Sequence, residues 1–107
     1  MCSRENNIHN KMYIIPNVGT RLIVQPNSLY LYSKKKNSFD ILNYESLIFL
    51  LRFDGTETIF NIQEKLKREY QEIEAQLIEK DLYLLVCFLT ERGYYSLQET
   101  PLEIPLR

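Results

Sequence analysis

The stretch Ser38-Phe-Asp-Ile-Leu-Asn-Tyr-Glu-Ser-Leu-Ile-Phe-Leu-Leu51 changes its apolar period at Asn43. Before Asn43, Phe39 and Ile41 alternate with polar neighbours, which is typical of a strand. After Asn43, apolar side chains recur on one helical face, at Tyr44, Leu47, Ile48 and Leu51. Asn43 is also a suitable N-cap residue. The stretch therefore predicts a strand that passes directly into a helix.

Two further strand-like segments precede this junction. Arg21–Gln25 and Leu29–Tyr32 are short and rich in β-branched or aromatic residues. Pro26-Asn27 separates the two segments, and Lys34–Asn37 separates the second from Ser38–Leu42. Both linkers are typical of turns. Because tight turns join antiparallel neighbours, we expect a three-stranded antiparallel sheet.

Two more helices are predicted downstream. Thr58 can cap a helix whose apolar face is formed by Ile59, Ile62, Leu66 and Tyr70. A third helix is expected from about Ile73 to Arg92, with Gly93 able to adopt the left-handed conformation that ends it. The segment Tyr94–Leu97 fits either a short strand or an extended tail.

This order of elements indicates an α+β fold, with a three-stranded antiparallel sheet followed by three helices. The same order is typical of a winged helix-turn-helix. Residues 1–12 are predicted to form a polar N-terminal arm, 13–99 the domain, and 100–107 a C-terminal tail or linker. Ordered structure is expected to begin near Tyr13, in an apolar stretch that Pro16-Asn17 interrupts, and none of the three predicted strands is placed there.

Composition excludes several classes of protein. The 107 residues include 13 Lys+Arg and 14 Asp+Glu, for a net charge of -1, and 45% are hydrophobic. A nearly neutral chain has no global attraction for nucleic acid or an anionic membrane. The two cysteines and one histidine are too few for a disulfide framework or a zinc knuckle, which suits a reducing compartment. The first ten residues are polar, and the longest apolar run, Leu82–Leu89, is too short to span a membrane. We therefore expect a cytoplasmic protein.

The residues that could support catalysis are few. His9, the single histidine, lies in the polar arm, and Cys87 lies in an apolar run where burial is expected. The three glycines form no phosphate-binding loop. We predict that the chain is not an enzyme by itself and needs no metal or other cofactor.

The third helix has more apolar surface than one buried face requires. Ile78, Leu82, Leu85 and Leu89 form one stripe. A second stripe, interrupted by Asp81, is formed by Leu77, Leu84 and Phe88. Such a surplus indicates a groove or an interface, unless neighbouring elements cover the helix on several sides.

The third predicted strand, Ser38–Leu42, provides a complementary feature. If it lies at the edge of the sheet, its outer backbone groups are unpaired. An edge strand beside an apolar helix can bind an extended peptide, which adds a strand and inserts alternate side chains into the groove.

Three motifs occur in order along the chain. They are Phe39-Asp-Ile-Leu-Asn43, Phe53-Asp-Gly-Thr-Glu-Thr58, and the run from Asp81 to Gly93 that begins Asp-Leu-Tyr-Leu-Leu and ends Glu-Arg-Gly. Together they resemble the PqqD-like family of recognition elements for ribosomally made, post-translationally modified peptides. The resemblance covers roughly residues 20–97. It implies a winged-helix-like domain that binds the leader of a precursor peptide as an added strand.

The resemblance also implies which residues form the site. The leader would pair with the third strand and lie against the third helix. Its contacts would be Ser38, Phe39, Asp40, Ile41, Leu42, Leu77, Lys80, Asp81, Leu84 and Phe88. Ile41, Leu82, Leu85 and Leu89 match core positions of the family. The tail Pro101–Arg107 resembles the segment that joins such a domain to a radical S-adenosylmethionine maturase.

The resulting hypothesis is a non-catalytic module that presents a precursor peptide to a modifying enzyme, either in the same chain or in a separate one. Two alternatives remain open at this point. A winged-helix regulator would bind DNA, with Lys34–Lys36 on the phosphates. A structural domain would form a homodimer through the apolar face of the third helix.

Overall fold

Five short strands form two antiparallel sheets in the computed structural model, which describes residues 10–102. The larger sheet has the order β2-β3-β4, and the smaller one pairs β1 with β5. The strands are β1 Tyr13–Pro16, β2 Thr20–Gln25, β3 Ser28–Ser33, β4 Ser38–Leu42 and β5 Tyr95–Gln98. The predicted three-stranded antiparallel sheet is confirmed, and the predicted limits of β4 agree with the structure.

The smaller sheet corrects the prediction for the first apolar stretch. Strand β1 pairs with β5, with Ile14 opposite Leu97. Beyond Pro16, the Asn17 N–H donates to the Tyr94 carbonyl at 2.8 Å. The Thr20 hydroxyl donates to the same carbonyl, also at 2.8 Å. Local periodicity could not predict this sheet, because its two strands come from opposite ends of the domain.

Three helices follow β4, as predicted. They are α1 Leu47–Leu50, preceded by a 3-10 turn over Tyr44–Ser46, then α2 Ile59–Glu69 and α3 Ala75–Glu91. Asn43 lies at the N-cap position of the 3-10 turn, as predicted, although its side chain makes no capping hydrogen bond. The predicted apolar face of the first helix is wrong, because Tyr44 and Leu51 are exposed while Phe49 and Leu50 are buried. The cause is the 3-10 turn, whose three-residue repeat shifts the face that points inward.

The limits of α2 and α3 follow from local hydrogen bonds. The Thr58 hydroxyl accepts from the Asn61 N–H at 3.1 Å, which confirms the predicted cap of α2. At the end of α3, Gly93 has a φ of 80°. This conformation lets the Tyr94 N–H donate to the Leu89 carbonyl at 3.0 Å and closes the helix.

The core lies between β3 and the helices. Leu29 and Leu31 of β3 are fully buried, and the predicted inner stripe of α3 is buried as well. This stripe consists of Ile78, Leu82, Leu85 and Leu89. Full burial of one such side chain contributes about 2 kcal/mol to folding. Helix α3 is therefore fixed against the inner face of the larger sheet.

Several expectations concern the ends of the chain. Residues 1–9 and 103–107, and with them His9 and most of the predicted arm and tail, lie outside the described residues. Within the described part, the Ile59 N–H donates to the Met12 carbonyl, and the Leu102 N–H donates to the Gly55 carbonyl. No helix between residues 10 and 102 combines the length and hydropathy needed to cross a bilayer.

Cys87 is buried in α3, as expected, and it is disulfide-bonded. Because disulfides are rare in reducing compartments, the small number of cysteines no longer supports the expected reducing compartment.

The N-cap of α2 gives a test of this local structure. Thr58→Ala removes the acceptor for the Asn61 N–H and should lower the free energy of unfolding by about 1 kcal/mol. Thr100→Ala, at an exposed position outside the helices, is the control and should change it by less than about 0.5 kcal/mol. Urea unfolding followed by circular dichroism measures both values, and equal losses would contradict the assigned cap.

Candidate functional site

Strand β4 lies at an edge of the larger sheet. It pairs with β3 from Ser33↔Ser38 to Leu29↔Leu42, and no strand within residues 10–102 pairs with its other side. Its sequence contains no lysine or proline, the residues that commonly protect an exposed edge from further pairing. The outer backbone groups of β4 are therefore available for another strand.

The register shows which backbone groups point outward. The Lys34 N–H donates to the Gly19 carbonyl at 2.9 Å, in line with the β2–β3 pairing. The backbone groups of successive residues in a strand point to alternate sides. The N–H and C=O groups of Tyr30 and Tyr32 therefore also point toward β2, whereas those of Leu31 point toward β4.

The same alternation applies to β4. Asp40 is opposite Leu31, so its backbone N–H and C=O groups point toward β3. The backbone groups of Ser38 and Leu42, two residues away on either side, point the same way. The N–H and C=O groups of Phe39 and Ile41 therefore point away from the sheet. These two residues supply the unpaired backbone groups of the edge.

The side chains of Phe39 and Ile41 lie on the outer face of the sheet. They are opposite Tyr32 and Tyr30, and their exposed fractions are 59% and 63%. The rings of Tyr30 and Phe39 are 6.0 Å apart. The predicted core position of Ile41 is therefore wrong, because its cross-strand partner belongs to the outer row of β3 rather than to buried Leu29 or Leu31.

Asp40 links β4 to the residues that follow α3 through side-chain hydrogen bonds. Its carboxylate accepts from the Tyr94 hydroxyl at 2.6 Å and from the Arg92 guanidinium at 3.0 Å. Burial and, to a smaller extent, the hydrogen bond to Asp40 raise the pKa of Tyr94 to about 12. Asp40 was predicted to contact a peptide, but its side chain is already engaged within the domain.

A groove of about 330 Å³ opens between the end of β4 and α3. One wall follows the chain where β4 passes through the 3-10 turn into α1, and the other is the exposed stripe of α3. The groove is lined by Leu42, Asn43, Glu45, Ser46, Phe49, Asp81, Leu84, Leu85 and Phe88. Leu84 is 52% exposed, so the surplus apolar surface predicted for this helix is not covered on this side.

The structure brings together only some of the predicted site residues. Leu42, Asp81, Leu84 and Phe88 line one groove. Leu77 and Lys80 are exposed on α3 but do not line it. Ser38, Phe39, Asp40 and Ile41 also lie outside this lining. Phe39 instead borders a separate hollow of about 300 Å³ on the outer face, together with Ile23, Gln25, Tyr30 and Tyr32.

Part of the groove was missed by sequence reasoning. Glu45, Ser46 and Phe49 form the wall opposite α3. The available signal was their position directly after an edge strand, since the chain must turn there across the end of the sheet. Leu85 was assigned to the core, and it is 8% exposed at the groove floor.

A second hollow, of about 810 Å³, lies beside Lys34–Lys36 and Gly93. The Lys36 ammonium donates to the Arg92 carbonyl at 3.0 Å and so interacts with the C-terminal end of α3. This lysine is therefore partly engaged within the domain, which reduces the positive surface available to a phosphate backbone.

No group of three or more His, Cys, Asp or Glu side chains among residues 10–102 could hold a metal ion. Comparisons of the chain with protein-family models, curated proteins and solved structures found no match. Within residues 10–102, the edge of β4 and the groove beside it are the features that suggest a function.

The contact between Tyr94 and Asp40 can be tested directly. Tyr94→Phe removes a donor from a partly buried carboxylate and should lower the free energy of unfolding by about 1.5 kcal/mol. Tyr95→Phe is the control, because the Tyr95 hydroxyl makes no hydrogen bond to a described residue, and it should cost less than half as much. Urea denaturation measures both variants, and the opposite ranking would contradict the proposed anchoring of β4.

Proposed function

We propose that this chain captures the leader segment of a ribosomally made precursor peptide by strand addition to β4. The observation that carries the proposal is the combination of an unprotected edge with a groove at its end whose α3 wall exposes apolar side chains. Phe39 and Ile41 offer outward backbone groups, and the groove beside them is lined by Leu84 and Phe88. This combination is typical of domains that bind extended peptides.

In the complex, the leader would form backbone hydrogen bonds with Phe39 and Ile41. Such bonds do not depend on the leader's side chains, so they would give affinity without selectivity. Side chains near the end of β4 would enter the groove and pack on Leu84 and Phe88. Selectivity would therefore come from the part of the leader that passes Leu42.

Capture of the leader would serve a modifying enzyme of the radical S-adenosylmethionine class. A bound leader raises the local concentration of the attached core peptide at a nearby active site. The recognition module needs no catalytic residues for this task. We place it in the cytoplasm because ribosomes supply the precursor there, although Cys87 is disulfide-bonded.

A homodimer is the alternative that a specific observation favours. The same free edge could pair with β4 of a second copy, and exposed Phe39 and Ile41 would then extend an apolar face across both subunits. A DNA-binding role has less support, because the exposed first half of α3 carries Glu79 and Asp81 next to Lys80.

The position of the outward N–H groups gives a direct test. Ile41→Pro removes an outward donor and leaves the β3–β4 ladder intact, because the Ile41 N–H does not face β3. We expect about 10-fold weaker binding of a synthetic leader taken from a short precursor encoded beside this chain. Fluorescence anisotropy with the labelled leader measures the affinity, and NMR spectra of the free variant report its fold.

Val24→Pro is the matched control, since it alters the opposite edge of the same sheet, on β2. It should leave the affinity within about twofold of the original value. Unchanged binding by a folded Ile41→Pro variant would refute strand addition at β4. A dimer in light scattering that becomes monomeric in Ile41→Pro would instead support the homodimer.

A further inference from the structure

The groove beside β4 is negatively charged, although the chain as a whole is nearly neutral. Its lining includes the carboxylates of Glu45 and Asp81 and no cationic side chain. Both residues are exposed, and neither forms an ion pair with another described residue. An occupant of the groove would therefore meet two unpaired negative charges, one from each wall.

The cationic side chains nearest to the groove in the chain do not cancel these charges. Arg92 is paired with Asp40, and its guanidinium lies 5.4 Å from the centre of the Phe88 ring. Lys80 precedes Asp81 on α3 but does not line the groove. Successive helical residues point in different directions, so Lys80 does not face the same space as Asp81.

An added strand would present two different rows of side chains. Alternate residues would point to the inner face of the sheet and, beyond Leu42, enter the groove. The other residues would lie on the outer face beside Phe39 and Ile41, which are largely exposed. The first row meets carboxylates and an apolar wall, and the second row meets apolar side chains only.

We infer that the bound segment is basic and that its inward and outward side chains differ in character. This inference rests on the proposed capture of a peptide. Its inner row carries Lys or Arg against Glu45 and Asp81, next to an apolar residue on Leu84 and Phe88. Its outer row is apolar. An acidic segment is rejected, because it would place like charges beside Glu45 and Asp81 in the groove.

Selection from a peptide library tests this inference without knowledge of the natural precursor. A phage library of random dodecapeptides is selected on the full chain, on Ile41→Pro, and on the double variant Glu45→Lys/Asp81→Lys. Peptides recovered by the original chain but not by Ile41→Pro depend on the β4 edge. We expect them to alternate apolar residues with Lys or Arg, and we expect the double variant to recover acidic peptides.

One recovered peptide and its Lys→Glu counterpart are then synthesised. On the original chain, the Glu version should bind about 10-fold more weakly, and the double variant should reverse this preference. Edge-dependent peptides without a charge preference, or with the same preference on both proteins, would overturn the inference and leave peptide capture intact. Failure to recover any edge-dependent peptide would overturn both.

Discussion

The hydrogen bond between the Tyr94 hydroxyl and the Asp40 carboxylate sets the geometry on which the candidate site depends. It joins β4 to the end of α3 across the inner face of the sheet. Arg92 reinforces this contact from the last turn of the helix. Asp40, which makes these contacts, is the middle residue of β4. The groove lies farther along the chain, where β4 passes through Leu42 into the 3-10 turn. The position of one carboxylate thus separates the anchored part of β4 from the part that faces the groove.

This contact also explains an inverted pattern in β4. Apolar residues of an edge strand normally face the core, and polar residues face water. Here Asp40 points inward to reach Tyr94, so Phe39 and Ile41 point outward and remain largely exposed. Exposed apolar side chains on an unprotected edge favour association. Departures from local patterning are expected where a protein uses a surface for function.

The sequence predicted those features that depend on neighbouring residues. The limits of β4, the Thr58 cap and the buried stripe of α3 all follow from local spacing, and all agree with the structure. The sequence did not predict features that depend on contacts between distant segments of the chain. Pairing of β1 with β5 depends on the two ends of the domain. The face occupied by Ile41 depends on its register with Tyr30, which no spacing within β4 reveals.

The residues that line the candidate site likewise include some that the sequence predicted and some that it did not. Leu42, Asp81, Leu84 and Phe88 were predicted, and they meet in one groove. Glu45, Ser46 and Phe49 were not, because a 3-10 turn rather than a regular helix brings them to the opposite wall. Leu77 and Lys80 were included because the family resemblance implied them, and the groove ends before it reaches them.

Hydrogen exchange at the backbone amides of β4 distinguishes an edge that carries an added strand from one that is unoccupied. The backbone N–H groups of Phe39 and Ile41 point away from the sheet, whereas those of Asp40 and Leu42 point toward β3. If a leader adds to β4, saturating peptide should slow exchange at Phe39 and Ile41 strongly and change Asp40 and Leu42 much less. Unchanged exchange at Phe39 and Ile41 in a saturated complex would contradict strand addition.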